Sequence, residues 1–362
     1  MIICGVDIGG SKIACASFRF QNGALQTLGA TKRVETQGTL GANPKGANAS
    51  LAKEVLGLIV DQLSALDPGD RALLKGVGIG CCGIIDQSSG ILRYANKLTG
   101  VRDLPFARYI GDRLRQFQPL KDLHVAVEND ANAAGLGEAL HGSGAGLRDV
   151  VYLTISTGVG GVLVIDGKLQ RGTSGKAGEF GSLYLGSEVN PADPKQAVWS
   201  KLVGGKSVAE RVVAQVQEGK FVRIAKVVQD HPTKVDMRLL AECARSGDFE
   251  CQSLFQEIGH VIGIGIANLV DLYDPDCVII GGGMVKAFDL WSPSMFESLF
   301  CRKPALRSGM IRTARLGDMV GTIGAAAVCS AELFAFGDNE RNARNKEIAE
   351  VQSSSTPRKL FA

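Results

Sequence analysis

The sequence predicts an α/β protein of two domains, and three observations carry that prediction. A strand, a glycine turn and a second strand occur twice, at 2–18 and at 150–165. Short apolar runs end at small or polar residues that open helical stretches, the alternation that marks α/β folds. The chain has 362 residues, enough to build two hydrophobic cores. The repeated hairpin reads as two related domains facing each other across a cleft, a smaller one over 1–120 and a larger one over 121–319.

The elements follow in order. Residues 2–8 form a buried strand, Gly9-Gly10 a turn, and Ile13 to Phe18 the returning strand, with Asn22-Gly23 as the next tight turn. The small polar residues 36–48 read as a loop. A helix at about 49–66 has Leu51, Val55, Leu58, Ile59, Leu63 and Leu66 near helical period, and Asp67-Pro68-Gly69 stops it. A strand at 75–80 ends at Cys81-Cys82-Gly83, and a helix covers about 105–117. Leu123, Val125 and Val127 alternate into Glu128-Asn129-Asp130-Ala131-Asn132, which opens a small-residue helix to about His141. The strand 149–155 runs into Ser156-Thr157-Gly158-Val159-Gly160-Gly161 and back through Val162 to Ile165. Residues 206–273 are mainly helical, and Asp274-Pro275-Asp276 ends the last of those helices. Cys277 to Ile280 is a short buried strand that meets Gly281-Gly282-Gly283. Residues 320–336 read as a final helix that packs back on the first domain, and 337–362 as a disordered polar tail.

Composition narrows the function. Hydrophobic residues make up 45% and charged residues 21%, with a formal net charge of +3 and no long basic run. That is a solvated mixed-charge surface, which argues against nucleic-acid binding. Nine cysteines lack the spacing of a disulfide scaffold, so reduced, mostly buried thiols are expected. The first residues resemble no signal peptide, and no apolar run nears the roughly 20 residues of a membrane span. A soluble, cytoplasmic protein is expected. Glycine is the outlier, with 46 residues against roughly 7% in average usage.

Those glycines cluster where strands end. Gly9 and Gly10 let backbone amides approach an anion, with Ser11 and Lys12 as further donors. Asp7, an acid at the end of a buried strand, could hold a hydrated Mg²⁺, an ion that keeps several waters and uses few carboxylates. Thr157, Gly158 and Gly160 repeat the device, and Gly282 and Gly283 provide a third close approach. The plainer reading of each turn is a hairpin, and of Asn129 and Asp130 a helix cap. The ordered set of three turns favours a phosphate ligand.

Five segments in order resemble the ROK sugar kinases, which have the actin-like (ribonuclease H-like) ATPase superfold. They are Val6 to Lys12, Glu128 to Ala134, Ser156 to Gly161, Gly175-Lys176-Ala177-Gly178-Glu179-Phe180-Gly181, and Asp274 to Gly283. The resemblance implies ATP and Mg²⁺ as cofactors and phosphorylation of a sugar hydroxyl. It makes Asp130 the catalytic base, accepting the hydroxyl proton as the phosphoryl group transfers. Asn129, Gly83, Asn96 and Glu179 become sugar contacts. A homo-oligomer is compatible with it.

Three departures concern the substrate. Cys82 stands where the family has proline, and Ser182 where it has a histidine that touches sugar and ligates zinc. Residues 183–203 contain no cysteine or histidine, so no zinc is expected. The segment's sugar-binding glutamate falls near Ser200. These departures put the substrate in question; the resemblance keeps glucose as the default acceptor, since the family's commonest members use it, with an N-acetylhexosamine, fructose or a glycoside as alternatives. A sugar-responsive regulator or a non-catalytic sensor is the competing class. Regulators carry a helix-turn-helix ahead of the first glycine turn, which here begins at residue 7, and the intact Asp130 argues against a sensor.

Overall fold

The computed structural model describes residues 1–21, 23–36, 46–95, 97–117, 123–185, 197–228, 235–307 and 309–335. The chain divides into two compact units, Met1–Glu128 continued from Ala325, and Asn129–Gly324. The expected tail at 337–362 and the candidate Asn96 lie outside the described residues.

In the first unit a five-stranded sheet has the order β3-β2-β1-β4-β8. Its strands are β1 (Ile2–Ile8), β2 (Lys12–Gln21), β3 (Ala24–Glu35), β4 (Leu74–Cys81) and β8 (His124–Asn129). β1 and β2 pair antiparallel from Ile8↔Ile13 to Ile2↔Arg19, while β1 and β4 run parallel. Helix α1 (Ala47–Ser64) packs on β1 and β2, and its buried Leu51, Val55, Ile59 and Leu63 recur every four residues along one face. α2 (Pro68–Ala72) is a short turn before β4. Between β4 and β8 the chain inserts a three-stranded sheet, β5 (Ile84–Asp86), β6 (Ile91–Tyr94) and β7 (Arg102–Leu104), followed by α3 (Phe106–Phe117).

β3 carries no alternation that would announce it: among its twelve residues only Leu28 is buried. It is an edge strand, held by pairing with β2 and not by a core-facing stripe, so its sequence lacks the alternation of a half-buried strand.

The second unit begins with α4 (Asp130–His141) and has a sheet of the order β11-β10-β9-β12-β13. Here β9 is Val150–Ile155, β10 Val159–Ile165, β11 Lys168–Leu169, β12 Cys277–Gly281 and β13 Ile311–Thr313. β9 pairs antiparallel with β10 and parallel with β12. The strand order of the first sheet is thus repeated, which gives both units the actin-like α/β topology. The insertion here is helical: α5 (Trp199–Val203), α6 (Gly205–Gln217), α7 (Val222–Val228), α8 (Met237–Arg245) and α9 (Phe249–Tyr273). α10 (Phe288–Arg302) follows β12 and lies close along α9, because a Cβ on Gly259 or Gly263 would come within 2.4 Å of the carbonyl of Trp291 or Met295. The fully buried Trp199 and Trp291 anchor this core with Ile258, Ile262 and Ile266.

α11 spans 320–335 and ends in the first unit. There a Cβ on Gly78 of β4 would lie 1.8 Å from the carbonyl of Ala325. Among the described residues, two helices, α9 and Gly317–Ala335, are long and apolar enough by composition to cross a membrane. In each, 56% of the apolar window is buried inside the protein, as core helices require. All nine cysteines are free thiols, and Cys301 is the exposed one.

Candidate active site

The β8–α4 junction places Asn129 and Asp130. Asn129 is the N-cap of α4: its Oδ1 accepts from the amides of Ala131 (2.9 Å) and Asn132 (3.3 Å). Asp130 is the first helical residue, and its Oδ1 also accepts from Ala131 N at 2.9 Å. The cap and a chemical role are compatible, because the cap uses Asn129 and leaves the helix N-terminus, a favourable place for a carboxylate, to Asp130. At the other end of α4, the buried Glu138 accepts from the amides of Ser143, Arg315 and Leu316 at 2.7–3.0 Å. A carboxylate with three amide donors fixes the helix against two loops.

The β9–β10 turn opens on a cavity of about 720 Å³ that belongs wholly to the second unit. Ser156 and Thr157 line it from the turn, Gly205 and Lys206 from the start of α6, and Gly283 from the segment after β12. Its wall is apolar, with Ala209, Val213, Val235, Met237 and Met284. Two backbone bonds lock turn to helix: Gly205 N donates to Ser156 O (2.8 Å) and Lys206 N to Thr157 O (3.1 Å). Gly282 has φ +88°, and a Cβ there would lie 2.4 Å from Ile155 O, so both backbone conformation and space demand glycine. Of the sequence candidates, Thr157 and Gly283 meet at this cavity, and Gly158 and Gly282 adjoin it in the chain. Gly160 pairs with Thr154 across the hairpin.

The helical half of the cavity carried only a weak site signal in the sequence. Gly204-Gly205 precedes a helix, a weak cue, and Val213, Met237 and Met284 read as ordinary core residues.

In the first unit, Gly9 N donates to Lys12 O (2.9 Å), while Thr36 donates from Oγ1 to Gly9 O (2.8 Å) and from N to Ser11 O (3.0 Å). Ser11 and Lys12 are exposed on this turn, and a Cβ on Gly10 would touch the side chain of Lys97 at 2.9 Å. Asp7 is half-buried in β1 between Ala14 and Gly80. Gly83 has φ +139°, and a Cβ there would lie 2.3 Å from Tyr94 O, so β5 and β6 are pressed together beside it. Cys82, at the expected proline, is buried and donates from N to Ile8 O at 3.2 Å.

Glu179 is exposed, just before the 3-10 turn Phe180–Ser182. Ser200 serves the strand: its Oγ accepts from Val159 N (2.9 Å) and donates to Val159 O (3.2 Å). Among the described residues, no three His, Cys, Asp or Glu side chains gather where they could hold a metal ion. A single carboxylate such as that of Asp7 would suit only an ion that keeps most of its water shell. Burial, with the Glu138 charge adding to it, pushes the Tyr152 hydroxyl up to about 12.

Comparison with known proteins agrees with this architecture. A glucokinase of Halalkalibacterium halodurans is 28% identical over 326 residues, 88% of this chain and 92% of that protein. An N-acetylmannosamine kinase of Escherichia coli O157:H7 is 29% identical over 92% of this chain and 99% of its own length. Among solved structures, the ROK hexokinase of Thermus thermophilus superimposes with a TM-score of 0.73 at 27% identity, covering 92% of this chain and all of that one. A ROK glucokinase of Streptomyces griseus in complex with glucose and AMPPNP gives 0.65 at 27% identity, over 91% of this chain and all of its own. The ROK family profile matches residues 3–332, and the chain belongs to the ROK family.

Proposed function

We propose that the protein is an ATP-dependent sugar kinase that phosphorylates a hexose hydroxyl. The observation that carries this reading is the cavity of about 720 Å³ in the second unit. Its apolar wall suits a flat base, and the Ser156 and Thr157 hydroxyls and the Lys206 ammonium at its lining suit phosphates. The nucleotide would supply the phosphoryl group, with Mg²⁺ held through water by Asp7. The Gly9-Gly10-Ser11-Lys12 turn, with Thr157, Gly158, Gly160, Gly282 and Gly283, would complete the phosphate contacts.

Asp130 would accept the proton of the attacking hydroxyl. A helix N-terminus favours the negative charge that a carboxylate base carries. Asn129 would donate to the sugar through its amide nitrogen, since its oxygen caps α4. Gly83, Asn96 and Glu179 would add sugar contacts. Glucose is the default acceptor, by likeness to the glucokinases, with conversion to glucose 6-phosphate in the cytoplasm. The likeness to an N-acetylmannosamine kinase keeps N-acetylhexosamines in play, along with fructose and glycosides. Ser200, committed to the backbone of β10, supports a sugar contact set that differs from one built on a glutamate there.

A coupled ADP-release assay with Mg-ATP against a hexose panel tests the reading. Turnover with at least one sugar is expected, and Asp130→Asn should lower kcat by roughly 10²- to 10⁴-fold. Its melting temperature should barely move, because Asn129 retains the cap. No turnover with any sugar, or an unaffected Asp130→Asn, sinks the proposal.

A further inference from the structure

Glu128, the residue before Asn129, is 1% exposed. A carboxylate taken out of water is strongly destabilising unless donors satisfy it. One donor comes from far along the chain: Nε2 of Gln87 gives Oε1 a hydrogen bond of 2.8 Å. Gln87 lies at the tip of the β5–β6 hairpin. That tip is preformed. Asp86 Oδ1 accepts from Ser88 N (3.2 Å) and Ser88 Oγ (2.7 Å), and Arg93 pairs with Asp86 Oδ2 at 2.7 Å. Gly90 sits so close to α3 that a Cβ would lie 2.4 Å from that of Ala107. The hairpin is therefore a rigid arm, and Gln87 joins it to the end of β8.

We propose that Gln87 is a positioning residue. Its amide bond to Glu128 holds the β5–β6 arm, which starts beside Gly83 and precedes Asn96 in the chain, against the end of β8, the strand that continues into Asn129 and Asp130. Sugar binding at the arm and placement of the base then depend on one part-buried amide–carboxylate pair. The inference rests on the sugar-kinase reading above. It assigns Gln87 a part that neither its residue type nor its place in a hairpin turn would indicate.

The test compares steady-state kinetics of the wild type, Gln87→Glu, Gln87→Ala, Glu128→Gln and the double exchange Gln87→Glu/Glu128→Gln. The acceptor is the best hexose of the panel, and assays run well below each melting temperature. Gln87→Glu sets two carboxylates against each other and should raise KM for the sugar about tenfold or more. KM for ATP should change by no more than roughly twofold, because the cavity of the second unit is untouched. Gln87→Ala, which adds no charge, should shift the sugar KM in the same direction. The double exchange swaps amide and carboxylate and should restore the sugar KM to within about threefold of wild type. An unchanged sugar KM in Gln87→Glu, no rescue by the exchange, or parallel shifts of both KM values overturns the positioning role. A wild type without sugar turnover removes the kinase reading and this inference together. An active wild type with a silent Gln87→Glu removes this inference alone.

Discussion

The two five-stranded sheets repeat one strand order, yet their first hairpin turns are secured in different ways. In the first unit the carbonyls of Gly9 and Ser11 are taken by Thr36, just beyond an edge strand. In the second, the carbonyls of Ser156 and Thr157 are taken by Gly205 and Lys206, the opening residues of a helix. The same backbone requirement is met twice, but only the second solution brings a helix with it, and that helix supplies a concave apolar wall. The insertions follow the same division. The first unit inserts the small sheet β5–β7 after β4, and the second inserts helices after β11. A duplicated scaffold thus acquires distinct candidate sites through what is threaded between its strands.

Four experiments bear on that contrast, beginning with the loss of turnover expected for Asp130→Asn. Gly282→Ala should destabilise the protein by about 2–4 kcal/mol, since it combines a left-handed backbone with a clash against Ile155. Gly10→Ala in the first turn should cost less, about 1–2 kcal/mol, because its φ is not positive, although the backbone-fixed Cβ of Lys97 at 2.9 Å must shift. Equal effects in urea unfolding would erase the distinction between a locked and a yielding turn.

Tyr152 marks the second sheet in another way. Its hydroxyl, pushed up to about 12 by burial, keeps its proton in the folded state. An unfolded tyrosine loses it near pH 10. Between those values the unfolded chain binds fewer protons, so stability falls as pH rises, by about 2–3 kcal/mol at pH 12. Tyr152→Phe should flatten that part of the alkaline limb, measured as the difference between variant and wild type in urea midpoints at pH 9 and 12. Parallel pH dependences would show that Tyr152 titrates normally.

The smallest effects concern the two lysines. Lys206→Met should raise KM for ATP about tenfold, because Lys206, though exposed, lines the cavity beside Ser156 and Thr157. Lys12→Met, on an exposed turn, should raise it about threefold. The reverse ranking would move the main phosphate contacts to the first unit.

Much of this was legible beforehand. The 49–66 helix is α1 (Ala47–Ser64), the 105–117 helix is α3, and both glycine hairpins lie where the alternation and turn residues put them. Asn129 and Asp130 stand at a strand-to-helix junction as their residue types require. β3 and the β5–β7 sheet escaped, the first because it is an exposed edge and the second because its strands are three or four residues long.

The sequence by itself determined the local features: hairpin turns, helix caps and amphipathic periods, together with the ordered motifs of the ROK family. Each depends on residues within one or two turns of backbone, so neighbours in the chain suffice to specify it. Tertiary structure alone decided that Lys206, Val213 and Met237 share a cavity with Thr157 and Gly283, and that Gln87 donates to Glu128 across 41 residues. Such groupings arise when distant segments bury apolar surface together and satisfy the polar atoms trapped with it. No single segment carries a record of the partner it will meet.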